Sequence, residues 1–177
     1  MVIRSVLFLL LLTQATGCDK HLDPERRVAT EYRGTELRVA GYYYSTPFSD
    51  DPLIAVCVLN RNGVARIYVT SIHTDDTTSF IQNEQLMSTE FLNKLDPPSS
   101  MGVFTINARL IEIRNWEDKG RNFSSYVWQG EILSDSTFSV DYIYIEDEDR
   151  DVSERLTFKF VPFSPKPDST SAFIDEG

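Results

Sequence analysis

The stretch GVFTINARLIEIRNW, residues 102–116, places two apolar runs on either side of Asn107-Ala108-Arg109. Successive side chains of a strand point to opposite faces, so Phe104 and Ile106 share one face and Ile111 and Ile113 share one face. Two alternating runs around a short polar break predict a tight β-hairpin.

Working outward from it, the same signal repeats. Tyr126, Trp128, Gly130 and Ile132 alternate with Ser125, Val127, Gln129 and Glu131, as in a half-buried strand. Ser134-Asp135-Ser136 then turns the chain into Phe138, Val140, Tyr142 and Tyr144, set against Ser139 and Asp141. Leu156, Phe158 and Phe160 alternate with Arg155, Thr157 and Lys159 in the last run. Toward the N-terminus, Gly41-Tyr42-Tyr43-Tyr44 closes a strand-prone segment that Pro47 and Pro52 break. Arg61-Asn62-Gly63 is a hairpin turn, because Asn and Gly tolerate positive φ, and it joins the apolar run 53–60 to 64–72.

Eight strands are therefore expected, at 36–44, 53–60, 64–72, 102–107, 109–116, 124–132, 137–146 and 154–161. Short sequential connections favour antiparallel neighbours, and closing the sheet removes its edges. The all-β fold class this implies is an eight-stranded antiparallel up-and-down barrel over 35–163, with a two-sheet β-sandwich as the alternative. One short helix is expected at 83–95, where Leu86, Glu90, Phe91, Lys94 and Leu95 recur at helical spacing between Asn83 and Pro97-Pro98. Residues 164–177 have no strand or helix period and read as an irregular tail.

The other decisive segment is MVIRSVLFLLLLTQATGC, residues 1–18. Arg4 gives a positive n-region, and the seven apolar residues 6–12 fall far short of the roughly 20 needed to span a bilayer. Ala15, Thr16 and Gly17 are small, and Cys18 follows them directly. This arrangement resembles the lipobox of bacterial lipoproteins, which implies removal of 1–17 and acylation of Cys18 with palmitate-type chains. An ordinary secretory signal cut nearby is the alternative. Two or three acyl chains on one cysteine give a stable anchor where a single chain gives a marginal one. The expected partner of the chain is then a membrane, reached through lipid on Cys18, and the expected location is the bacterial envelope at the outer membrane. Residues 18–34 are polar without a sustained period and read as a flexible tether.

Composition narrows the chemistry. Loss of 1–17 takes the net charge from −10 to −11, and so acidic a chain repels nucleic acid. His21 and His73 are the only histidines, which leaves no zinc cluster and no Ser-His-Asp set with a choice of base. No phosphate-cradling glycine loop, Gly-x-Ser-x-Gly or His-Glu-x-x-His occurs, so no catalytic residue, metal or cofactor is expected. The acid run Glu146-Asp147-Glu148-Asp149-Arg150-Asp151 lacks the Gly and terminal Glu of a calcium loop and reads as a solvated hairpin loop. Cys57 sits within an apolar run and reads as a buried small hydrophobe.

The order of Gly41-Tyr42-Tyr43, Asn62-Gly63, Gly102-Val103-Phe104-Thr105-Ile106 before Ile111-Glu112-Ile113, Gly130-Glu131-Ile132 before Thr137-Phe138, and Phe163-Ser164-Pro165-Lys166-Pro167-Asp168 is similar to small lipocalin-like (calycin-like) bacterial lipoproteins. The resemblance implies a barrel that binds. Alternation assigns Phe104, Ile106, Trp128, Tyr142, Phe158 and Phe160 to its interior, either as a packed core or as the wall of a pocket for a small lipophilic ligand. The functional expectation is a lipid-anchored binding or structural module. Its alternatives are an accessory subunit of an outer-membrane complex and an envelope hydrolase using two carboxylates.

Overall fold

The computed structural model describes residues 27–39, 41–49, 53–71, 101–118, 123–152, 154–162 and 174–176. Its strands, in chain order, are β1 (Arg27–Ala29), β2 (Gly41–Ser45), β3 (Leu53–Leu59), β4 (Val64–Ser71), β5 (Met101–Asn107), β6 (Leu110–Asp118), β7 (Phe123–Ser134), β8 (Thr137–Ile145), β9 (Arg150–Val152), β10 (Leu156–Pro162) and β11 (Ile174–Glu176). From β2 to β8 each strand pairs antiparallel with the next. β10 closes the circle, pairing with β2 from Phe158↔Ser45 to Pro162↔Gly41 and with β8 from Leu156↔Val140 to Lys159↔Thr137. The result is the closed eight-stranded antiparallel barrel that the alternation predicts, and the sandwich alternative falls away.

Three turns share one end of this barrel, which we call the floor. At the first, Gly63 takes φ +84°, Asn60 N–H donates to the Val64 carbonyl at 2.9 Å, and Gly63 N–H donates to the Asn60 carbonyl at 3.0 Å. At the second, Ala108 fills the first position of the two-residue link between β5 and β6 at φ 54°, a conformation where an L side chain is uncommon. At the third, Asp135 and Ser136 join β7 to β8.

The segment before β2 crosses the floor. Sequence alternation extends the first strand back to residue 36, but the strand starts at Gly41. The reason is in the hydrogen bonds. Arg38 N–H donates to the Asp135 carbonyl at 2.9 Å and Tyr32 N–H to the Arg61 carbonyl at 2.8 Å, so this backbone is satisfied by the turns of the floor rather than by a neighbouring strand. Leu37 and Val39 keep their alternation yet bury it against the barrel core, together with Tyr32, whose ring lies 5.6 Å from that of Phe104. Arg38 adds an ion pair to Asp135 at 2.8 Å, which holds that carboxyl below its ordinary range.

Two further elements depart from the sequence reading. Within the tether expected over 18–34, Arg27–Ala29 form β1, and within the expected irregular tail Ile174–Glu176 form β11, which pairs in parallel with β1. Ala29 packs on a second apolar cluster of Val64, Met101, Val103 and Trp116, all facing outward from β4, β5 and β6. Strands of three residues carry too little periodicity to be read, but an outward Trp116 buried to 2% exposure needs a cover, and β1 supplies part of it. The helix expected at 83–95 lies outside the described residues.

The floor depends on Gly63. An added Cβ there would sit 2.2 Å from the Thr30 carbonyl oxygen, on a backbone whose φ an L side chain resists. Gly63→Ala is expected to cost roughly 2 kcal/mol or more, a fall in Tm of several degrees for a domain of this size, read by thermal unfolding. An unchanged Tm contradicts the floor as described.

Candidate functional site

Two places bring chemistry-bearing side chains together: the barrel interior and a groove on the outer face of β5–β8. The interior contains five of the six residues assigned to it. Phe104, Trp128 and Phe158 are buried in one continuous core, with Ile106 and Phe160 packed partly buried against it. They rest on one another and on rings not singled out from sequence. Phe158 stacks on Phe138 at 4.6 Å between centroids with planes 6° apart, and Phe160 meets Tyr43 edge-on at 5.4 Å. Aromatic pairs in these geometries add about 0.5–1.5 kcal/mol each beyond area burial. The same core contains small side chains, Ala55, Cys57 and Ala65 on β3 and β4, a mixture of large and small that fills a narrow barrel.

Two polar side chains of the interior are paired. Trp128 Nε1–H donates to Asn115 Oδ1 at 2.8 Å with both residues buried, and Tyr43 O–H donates to the Arg38 carbonyl at 2.8 Å. Burial pushes the Tyr43 phenol and the Cys57 thiol well above their ordinary values, so both are neutral across physiological pH. Cys57 is in consequence a packing group without thiolate character.

Tyr142 is the exception, and it corrects the alternation. Between Gln129↔Tyr142 and Gly130↔Val140 the pairing of β7 with β8 slips by one residue, leaving Asp141 as the extra residue of a β-bulge. Phe138 and Val140 point inward as predicted. Beyond the bulge the parity reverses, Ile143 joins the core, and Tyr142 and Tyr144 face out. Backbone approach at the bulge is close, since a Cβ on Gly130 would lie 1.7 Å from the Ser139 carbonyl oxygen. No periodicity announces this; a glycine within a strand pattern is the signal that marks it.

The outer groove lies over that bulge and encloses about 570 Å³. Its lining includes Asn107, Glu112, Gln129, Glu131, Asp141 and Tyr142. Each carboxylate is tied to an arginine at its rim: Glu112 to Arg114, Glu131 to Arg109 at 3.2 Å, and Asp141 to Arg155 at 2.9 Å. Gln129 Nε2 donates to Glu112 Oε2 at 2.8 Å. The Tyr142 ring, 36% exposed, is backed by the nearly parallel ring of Tyr144, with 6.3 Å between centroids.

The acid run 146–151 holds those two rings in place. As the exposed hairpin loop expected from the sequence, it forms a 3-10 turn, Glu146–Glu148, that leads from β8 into the antiparallel β9. Tyr142 O–H donates to Asp151 Oδ1 at 2.6 Å and Tyr144 O–H to Asp149 Oδ1 at 2.7 Å, and these bonds raise both phenol pKa values, that of Tyr144 to about 12. Asp147 accepts from Ser124 Oγ at 3.0 Å and from Ser125 N–H at 3.3 Å. Among the described residues no three His, Cys, Asp or Glu side chains are grouped to hold a metal ion.

Fold and groove together define a closed antiparallel barrel, compatible with the lipocalin-like expectation, whose outer wall carries a cleft of mixed polar and apolar lining, the exposed Leu110 included. No protein-family model, no curated protein and no solved structure matches the chain.

Asn115→Leu is expected to lower stability by about 1–3 kcal/mol in urea unfolding, because it leaves the Trp128 indole N–H buried without its acceptor. Trp128→Phe also costs stability through the cavity it leaves, but it removes the orphaned donor, so the double variant loses less than the sum of the two single changes. Strict additivity of the two changes contradicts the pairing.

Proposed function

We propose that this chain is a lipid-anchored lipoprotein of a bacterial envelope, and that its barrel is a binding module working through its outer surface rather than through a hollow interior. The observation that carries the second half is the packing of the interior rings. Phe104, Trp128, Phe158 and Phe160 are engaged with Tyr32, Asn115, Phe138 and Tyr43, so a lipophilic ligand would have to part them. The groove over the bulge, by contrast, is open and lies within the volume range of small-ligand sites, roughly 300–1,000 Å³.

The anchoring half rests on residues 1–18, with a positive n-region, a short apolar run and small residues directly before Cys18. The character of the barrel wall is compatible with it. Glu112, Arg114, Gln129, Glu131 and Asp141 face outward across β6–β8, where a lipid-facing barrel carries an apolar band. A chain with such a wall is held at a membrane by an attachment outside the barrel. Lipid on Cys18 is that attachment, and the outer membrane is the site we assign to it.

The test is subcellular fractionation of the producing bacterium with a carbonate wash. The wild-type chain is expected in the membrane pellet and Cys18→Ser in the soluble fraction. A Cys18→Ser chain that stays in the washed pellet overturns the anchor.

A further inference from the structure

Resting on that reading of the barrel as a surface-binding module, we infer that the groove over the Asp141 bulge binds a neutral saccharide, with Tyr142 as its platform and Gln129 and Glu112 among its hydrogen-bonding groups. Three observations converge on this.

The first is the bulge. An extra residue in a strand interrupts the ladder, and it is favoured where it re-aims side chains. Here it turns Asp141 and Tyr142, adjacent in sequence, onto one outer face, and both line the groove. Without the slip, Tyr142 would occupy the interior position that Ile143 fills.

The second is charge. Each acid that lines the groove has an arginine partner, Glu112 with Arg114, which also reaches Glu146 at 3.4 Å, Glu131 with Arg109, and Asp141 with Arg155. The groove and its rim therefore interleave both signs of charge rather than presenting a single-sign field to an ion. A hydroxyl group suits the site, because it donates to a carboxylate oxygen and accepts from an amide or guanidinium N–H in the same place. The carboxylates are already oriented by their arginines, which reduces the ordering cost of binding.

The third is the ring. A tyrosine face is electron-rich and favours the polarised C–H face of a sugar ring over a strongly hydrated ion. Tyr142 cannot swing freely, because its hydroxyl is bound to Asp151 at 2.6 Å and its ring is backed by Tyr144. It is a fixed wall of the groove, and only Tyr142 of the two rings lines it.

The experiment is isothermal titration calorimetry of the full chain in detergent, with maltotriose, N,N′,N″-triacetylchitotriose and spermine as probes. The two trisaccharides separate a glucan from an N-acetylhexosamine glycan, and spermine represents a cationic ligand. One trisaccharide is expected to give saturable heat whose Kd is nearly independent of salt. Tyr142→Ala should weaken it about tenfold or more, while Tyr142→Phe, which keeps the ring but loses the bond to Asp151 that holds it, should weaken it by a smaller factor, about threefold to fivefold. Gln129→Ala, at an exposed position, provides a second variant and should weaken binding about fivefold. Saturable heat from spermine alone, no heat from either trisaccharide, or a Tyr142→Ala chain that is folded and binds as tightly as the wild type overturns the inference. These readings are independent of where the chain resides, so failure here leaves the lipid anchor standing, and loss of the anchor leaves the groove to be judged by its own heats.

Discussion

The structure depends on β10 having two partners. A strand of seven residues binds β2 along one edge and the first half of β8 along the other, and that double pairing converts a meander into a closed barrel. Closure leaves β8 with an edge still unpaired beyond Val140, and β9 takes it, from Ile143↔Val152 to Ile145↔Arg150. The acid run that connects β8 to β9 is thus part of how the sheet ends its hydrogen bonding. Closure also sets the interior width, and eight strands leave room for little more than their own side chains. The stacked Phe138 and Phe158 share that core with the small side chains Ala55, Cys57 and Ala65.

Much of this was legible in the sequence, because it is written in period two and in turns. The Asn62-Gly63 turn, the paired runs around Ala108-Arg109 and the alternation in β7 and β10 each gave a strand in the right place, and inside-outside assignments held wherever the ladder was regular. Phe104, Trp128 and Phe158 are in the core for that reason. The failures have one physical origin: they occur where the backbone leaves the ladder. Tyr142 lies beyond the bulge and faces out. Leu37 and Val39 alternate as in a strand, but they plug the floor while Arg38 bonds to Asp135. β1 and β11 were invisible because three residues carry no measurable period.

The groove was missed for a different reason. Apart from Tyr142, which alternation assigned to the interior, its polar residues come from positions of β5, β6, β7 and β8 that read simply as the solvent face of each strand. A polar outward residue is ordinary. Glu112 beside Gln129, with Asp141 and Tyr142 brought together by the slip, becomes a site only once register is known. The same slip that spoils the alternation therefore builds the cleft, and the acid run beyond it, through Asp149 and Asp151, keeps its aromatic wall upright.

Closure by β10 is the claim on which the interior, the floor and the outer face all rest, and backbone nuclear Overhauser effects measure it most directly. In a uniformly labelled chain, cross-strand contacts are expected from Thr157 to Ser139 and from Lys159 to Tyr44 in the same spectrum, placing β10 between β8 and β2. Contacts from β10 to one of these strands with none to the other would describe an open sheet and contradict the barrel.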